Sequence, residues 1–194
     1  WEGARAELSR AGQTRAAAIV MQAWFKPLLE ASGFDHTDNI VVLLWERSAG
    51  QTNPLPKKVA IRAMLPQDLD AVFQLDNRAF EFEWCNSANA LALAYQQSSL
   101  ATVVEEAGTL IGYQISTISM AGGHLARLAV HPDVRNQGIG YALVHHLLQE
   151  MQQRGIEQLT VNTQEDNFAS LALYARAGFK QIEEQYQVYQ YFLE

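Results

Sequence analysis

Residues 134–148 read VRNQGIGYALVHHLL, so Gly138 and Gly140 open what is otherwise a good amphipathic helix. Glycine costs a helix roughly 1 kcal/mol relative to alanine, and two of them need a local reason. A strand-like segment, LARLAV, and a short linker, HPDVRNQ, come before them. Strand, glycine turn and helix in that order aim several backbone N–H groups and the positive end of the helix dipole at one point. Missing side chains let an anionic oxygen approach to hydrogen-bond distance, and Arg135 adds a positive charge beside it. Read alone, the pair fits an anion cradle or only a tight turn. It is not a P-loop, because no Lys-Ser or Lys-Thr follows the glycines. A dinucleotide fold needs a third glycine and parallel βαβ strands, whereas the preceding strands read as a meander.

The rest of the chain supplies that meander. VAIRAM reads as a strand, PQDLDAVFQLDNRAF as a helix with Pro66 in its first turn, and ANALALAYQQ as a second helix. ATVVEEA, TLIGYQISTISM and GHLARLAV are rich in β-formers and separated by glycine turns, so they are expected to be antiparallel strands. The glycine-opened helix carries Ile139, Leu143, Leu147 and Met151 on one stripe and stops at Gly155. QLTVNTQ is a strand, and Asn167 is a natural N-cap for the helix FASLALYARA, which ends at Gly178 and Phe179. QYQVYQYFL alternates toward a last strand. The expected class is a mixed α+β fold: one central, mostly antiparallel sheet flanked by helices.

Residues 1–47 repeat part of this order: ARAELSRAGQ helical, RAAAIV a strand, AWFKPLLEASGF a helix ending in Gly33-Phe34, and NIVVLLWER a strand. The order matches that from Tyr141 to the C-terminus, without the glycine turn. Two readings stand here, a degenerate half-repeat truncated at its start or an unrelated helical extension. A third makes the segment a pairing element of a homodimer. The turn-rich stretch SAGQTNPLPKK sets a linker at 48–57, with the main domain at 58–194.

Composition narrows the partners. A net charge of −7 over 194 residues argues against broad nucleic-acid binding. No apolar run is long enough to cross a bilayer, and the opening WEGARAELSR is neither a basic nor an apolar export signal. It also lacks an initiator Met, which leaves open whether the true N-terminus is present. Cys85 is the only cysteine, which rules out an intrachain disulfide and fits a reducing cytoplasm. One cysteine and five scattered histidines give no metal-ligand spacing, and His145 and His146 diverge as helix neighbours.

A second constellation resolves the glycine pair. Residues 160–179 read TVNTQEDNFASLALYARAGF, and with RLAVHPDVRNQGIG they resemble the Gcn5-related N-acetyltransferase (GNAT) family over about residues 58–194. The family's pyrophosphate loop stands here as Arg135-Asn136-Gln137-Gly138-Ile139-Gly140, and its later signature as Asn167, Leu173-Tyr174 and Gly178-Phe179. The branch that looks nearest acetylates alanine of ribosomal proteins. The resemblance implies a GNAT fold and acetyl-CoA as co-substrate, lying between splayed parallel strands LARLAV and QLTVNTQ. The backbone of Leu128, Ala129 and Val130 would pair with the pantetheine arm, and a backbone N–H near Val130 would donate to the thioester oxygen. Amides from Asn136 to Tyr141 would take the pyrophosphate, and Asn167 would bond the cofactor near its reactive end.

Acetyl transfer to an amine needs a neutral nucleophile, a stabilised thioester oxygen and a protonated leaving thiolate. Tyr174 is the expected general acid, since a phenol stays protonated at neutral pH and can hand its proton to the departing thiolate. The branch's basic glutamate has no counterpart, because Asn162 stands at its position. His124 and Glu83, with Glu81 beside it, are the replacement candidates, and Phe80, Phe82 and Trp84 either wall a substrate groove or cap the core. The expected acceptor is a primary amine, on a peptide N-terminus or a small molecule. The alternative is a non-catalytic acyl-CoA sensor of the same fold.

Overall fold

The computed structural model describes residues 1–47 and 59–193, so the expected 48–57 linker lies outside the described residues. Along the chain come α1 (Glu2–Arg10), β1 (Arg15–Ile19), α2 (Phe25–Ala31), β2 (Asp35–Glu46), β3 (Ile61–Ala63), α3 (Leu69–Ala79) and α4 (Ala88–Gln97). They are followed by β4 (Leu100–Glu106), β5 (Thr109–Ser119), β6 (Gly122–Val130), α5 (Ile139–Gln153), β7 (Gln158–Gln164), α6 (Phe168–Arg176) and β8 (Lys180–Phe192). Single 3-10 turns sit at Pro66–Asp68, Phe82–Trp84 and Pro132–Val134. The strands hydrogen-bond in the order β1-β8-β2-β7-β6-β5-β4-β3. The pairs β3–β4, β4–β5, β5–β6 and β1–β8 are antiparallel and β6–β7 is parallel, the mixed, mostly antiparallel sheet expected.

The chain divides into two compact units, and β2, β7 and β8 each contribute to both. The larger unit, Leu43–Asn162 with Phe168–Gln181, packs α3 and α4 on one face of its strands. Val72 and Leu75 from α3 and Leu91 from α4 meet Val103, Tyr113, Ile115 and Ala129 there. The other face takes α5, whose Ile139 and Leu143 pack on Val104 and Ile111. The stripe read from sequence is the buried one: Ile139, Leu143, Leu147 and Met151 are at most 2% exposed. Burying each such side chain contributes about 1.5–3 kcal/mol, which outweighs the two glycines. At the start of α4 the Ser87 hydroxyl accepts the Ala90 amide at 3.1 Å, satisfying one of the donors a helix start leaves open.

The smaller unit comprises Trp1–Val42, Thr163–Asn167 and Ile182–Glu194. Here β1 pairs with β8 from Arg15 opposite Phe192 to Ile19 opposite Val188. Leu29, Phe34 and Tyr189 form its core, with the Trp1 ring 4.8 Å from Phe34. The last strand is longer than the apolar alternation suggests. It starts at Lys180, and its first half, KQIEEQ, is largely exposed, so burial does not write an alternating pattern into it.

Candidate active site

The site is built in the larger unit, around β6. The antiparallel register with β5 slips once: Ile115 opposes Arg127 and Ser116 opposes Leu125, leaving Ala126 as the extra residue of a β-bulge. The parallel ladder with β7 covers only Gly123–Leu125 against Leu159–Val161. Leu128, Ala129 and Val130 therefore continue the sheet with β5, beyond the stretch that β7 accompanies. The parallel pairing of LARLAV with QLTVNTQ, strands that the resemblance implies are splayed, thus ends at Leu125 and Val161.

Past β6 the Pro132–Val134 turn leads into the glycine segment. Asn136 has φ 60° and Gly138 φ 83°, both left-handed. Gly138 is the N-cap of α5, and its carbonyl accepts the Ala142 amide at 2.9 Å. Glycine adopts that backbone without the steric cost any L side chain meets there, which explains Gly138. A helix that starts at Ile139 has no carbonyls of its own for its first amides, so this end is electropositive. Arg135 is exposed, and its Nη2 donates to the Ala79 carbonyl at 2.6 Å, so its charge is tied to the end of α3.

Gly140 has a different reason. A Cβ there would stand 2.8 Å from Cδ1 of Leu173 on α6, so a side chain would have to push the end of that leucine aside. The two glycines that the sequence groups together thus split, one into backbone conformation and one into helix packing.

Close by on α6, Tyr174 is 5% exposed with its ring 5.6 Å from that of Phe179. Its carbonyl accepts the Phe179 amide at 3.0 Å, the bond that closes the helix. Burial pushes its phenol well above the ordinary tyrosine value, so it remains a proton donor at all physiological pH. Asn167 immediately precedes α6, its amide donating to the Gln164 carbonyl at 3.1 Å; it belongs to the segment that clusters with the smaller unit.

The two base candidates lie on different elements. His124 is half-buried on β6, its Nδ1 2.9 Å from Thr160 Oγ1 on β7, and burial lowers its pKa below the usual histidine value. Glu83 sits on the Phe82–Trp84 turn between α3 and α4. Asn162, which the resemblance matches to a glutamate, is exposed on β7.

One cluster escaped the sequence reading. Asp76 on α3 is fully buried, and it receives Arg127 Nε and Nη2, each at 2.8 Å, together with the Tyr113 hydroxyl. The signal was there: Asp76 follows Val72 by one helical turn, on the stripe that faces the core, and Arg127 interrupts an apolar strand. Among the described residues no three His, Cys, Asp or Glu side chains come together as metal ligands.

Comparison with known proteins agrees with this fold. The acetyltransferase (GNAT) family model matches residues 69–179, so the chain belongs to the GNAT family of acetyltransferases, acetyl-CoA-dependent N-acetyltransferases in the sense of that family. The "[Ribosomal protein bS18]-alanine N-acetyltransferase" of Escherichia coli K12 is 30% identical over 121 residues, 62% of this chain and 80% of that protein. A GCN5-related N-acetyltransferase from Sphaerobacter thermophilus superposes with a TM-score of 0.71 at 18% identity, covering 93% of this chain. This chain spans 61% of that one. The PaiA N-acetyltransferase of Thermoplasma acidophilum, solved with coenzyme A, superposes with a TM-score of 0.60 at 18% identity over 70% of this chain and 99% of its own. No helix among the described residues is long and apolar enough to cross a membrane.

Proposed function

We propose that this chain transfers the acetyl group of acetyl-CoA to an amine of low pKa, with a peptide α-amino group the best-fitting acceptor, by direct attack in a ternary complex. The observation that carries the reading is the left-handed Gly138 turn opening α5 directly after a strand that β7 leaves. In this reading the backbone from Asn136 to Tyr141, with Arg135 beside it, takes the diphosphate, and Leu128–Val130 pair with the pantetheine amides. An N–H near Val130 steadies the thioester oxygen as charge develops there. Tyr174 gives its proton to the departing thiolate.

The acceptor class follows from proton bookkeeping. With Asn162 in place of a carboxylate, the amine must lose its proton to a weaker base. Freeing a neutral α-amine of pKa near 8 at pH 7 costs about 1.4 kcal/mol, against about 4.6 for lysine. His124 suits that task better than Glu83. The tautomer that donates Nδ1–H to Thr160 Oγ1, 2.9 Å away, is the one that leaves an Nε2 lone pair to take the amine's proton. The name of the E. coli relative supports an N-terminal alanine as the first acceptor to try. The test is thiol release from acetyl-CoA with a peptide bearing a free N-terminal alanine, against its N-blocked, lysine-containing counterpart. Preference for the blocked lysine peptide, or no turnover with either, rejects this reading.

We also propose that residues 1–47 are a half-copy of the segment from α5 to β8. Two observations support it. The order β1-β8-β2-β7 reads the same when β1 exchanges with β7 and β2 with β8. Helices α2 and α6 also close on the same bond, Phe34 amide to Leu29 carbonyl and Phe179 amide to Tyr174 carbonyl, both at 3.0 Å.

A further inference from the structure

Arg127 is the first residue past the bulge in β6, and it leaves the strand on the side where α3 packs. Its guanidinium makes four contacts at once. Two hydrogen bonds of 2.8 Å reach Asp76, a third of 2.7 Å reaches the Trp84 carbonyl, and the group lies 3.5 Å above the Phe80 ring. Asp76 in turn accepts the Asn86 amide at 3.0 Å and the Tyr113 hydroxyl. The segment from Phe80 to Asn86 is therefore pinned at its start, its middle and its end to one ion pair. Phe82 on the same segment is 76% exposed, with the exposed Glu81 beside it.

Burying a charged pair is a poor route to stability, since well-packed apolar side chains of similar size do as well or better. What the pair adds is direction. A planar fork holding a carboxylate, a carbonyl and a ring face admits one placement of the segment.

We infer that Arg127 is a positioning residue, acting through Asp76 to fix the Phe80–Asn86 segment against β6 so that an amine held by that segment meets the thioester. This rests on the proposed role of β6 in holding acetyl-CoA. The segment offers an exposed aromatic, Phe82, next to a carboxylate, Glu81, which suits an ammonium group with an apolar neighbour.

The lone cysteine provides a readout independent of the acceptor. Cys85 lies within the pinned segment, half-buried, its thiol donating to the Phe80 carbonyl at 3.4 Å. Arg127→Lys keeps the charge and loses the fork. Losing hydrogen bonds to a charged group should shift the segment's opening by about tenfold or more, so Cys85 should react with Ellman's reagent at least about tenfold faster. The KM for the alanine peptide should rise by a similar factor, while the Kd for acetyl-CoA stays within about twofold. In the unaltered protein, hydrogen exchange at the Asn86 amide should be as slow as at β-strand amides, a measurement that needs no variant. Unchanged thiol reactivity in folded Arg127→Lys, or exchange of the Asn86 amide at the rate of an open loop, overturns the inference. So does a fall in acetyl-CoA affinity that matches the change in KM. Should the peptide prove no substrate, the functional reading fails and the thiol and exchange measurements still decide the clamp.

Discussion

Gly140 faces Leu173 across a gap so small that a methyl group on the glycine would sit 2.8 Å from the leucine's Cδ1. That relationship sets how closely α6, with Tyr174 on its next residue, lies against α5. Gly140→Ala should destabilise the fold through overpacking, by at most about 1–3 kcal/mol, since the end of the Leu173 side chain must move aside. Trimming the neighbour should give most of it back, so Leu173→Ala combined with Gly140→Ala should be less damaging than the two separate losses added. A double-mutant cycle by thermal denaturation checks this; strict additivity contradicts the packing assignment.

Gly138 should respond differently. Alanine there must hold φ near 83°, a strain of about 1–2 kcal/mol, and it places a methyl group in the turn. Acetyl-CoA affinity should fall more than for Gly140→Ala at comparable loss of stability, as calorimetry of both variants would measure.

Tyr174→Phe should leave the fold intact and lower kcat by about 10²-fold or more, the scale of a positioned acid. Because burial raises the phenol's pKa, no alkaline limb from Tyr174 should appear in the physiological range. Turnover equal to that of the unaltered enzyme removes Tyr174 from the mechanism.

His124 gives the acid side its sign. Burial lowers its pKa, so the neutral ring, which can accept a proton, persists below the ordinary value of 6.5. The rate should fall as pH drops through the lowered value, and His124→Gln should abolish that limb. The stability it contributes has the same sense: full above 6.5, where both folded and unfolded forms are neutral, and lost as pH falls toward the folded-state pKa. A pH–rate profile unchanged by His124→Gln returns the base to another group.

Deleting residues 1–47 removes β1 from beside β8 and β2 from beside β7, where the Arg47 amide meets the Glu157 carbonyl at 2.8 Å and the Glu165 amide meets that of Asn39 at 2.8 Å. The shortened protein should lose cooperative melting or aggregate through the uncovered strand edges. A sharp, unshifted transition would mark the segment as dispensable to the fold.

How much of this the sequence discloses depends on what burial wrote into it. Strand β7 runs where QLTVNTQ puts it, because Leu159, Val161 and Thr163 face the core at alternate positions, and α4 runs where ANALALAYQQ puts it, behind its Ser87 cap and with Leu91 buried. Strand β8 escapes in its first half, where exposed Lys180, Gln181, Glu183 and Glu184 bury nothing that could set a period. The Ala126 bulge leaves no compositional trace, since it is a matter of register between two strands. Gly138 and Gly140 look alike as letters and differ only once Leu173 is placed. Asp76 and Arg127 each break an apolar pattern, but their pairing requires knowing that α3 packs over β6.

The claim that everything functional depends on is that backbone amides between Arg135 and Tyr141 hold the diphosphate of acetyl-CoA. Titrating acetyl-CoA into the 15N-labelled protein and following the amide signals tests it directly. The account predicts saturable shifts at Asn136, Gln137, Gly138, Ile139 and Gly140, at one equivalent, alongside smaller shifts at Leu128 and Val130. Saturable binding that leaves the amides of that turn unmoved would contradict it.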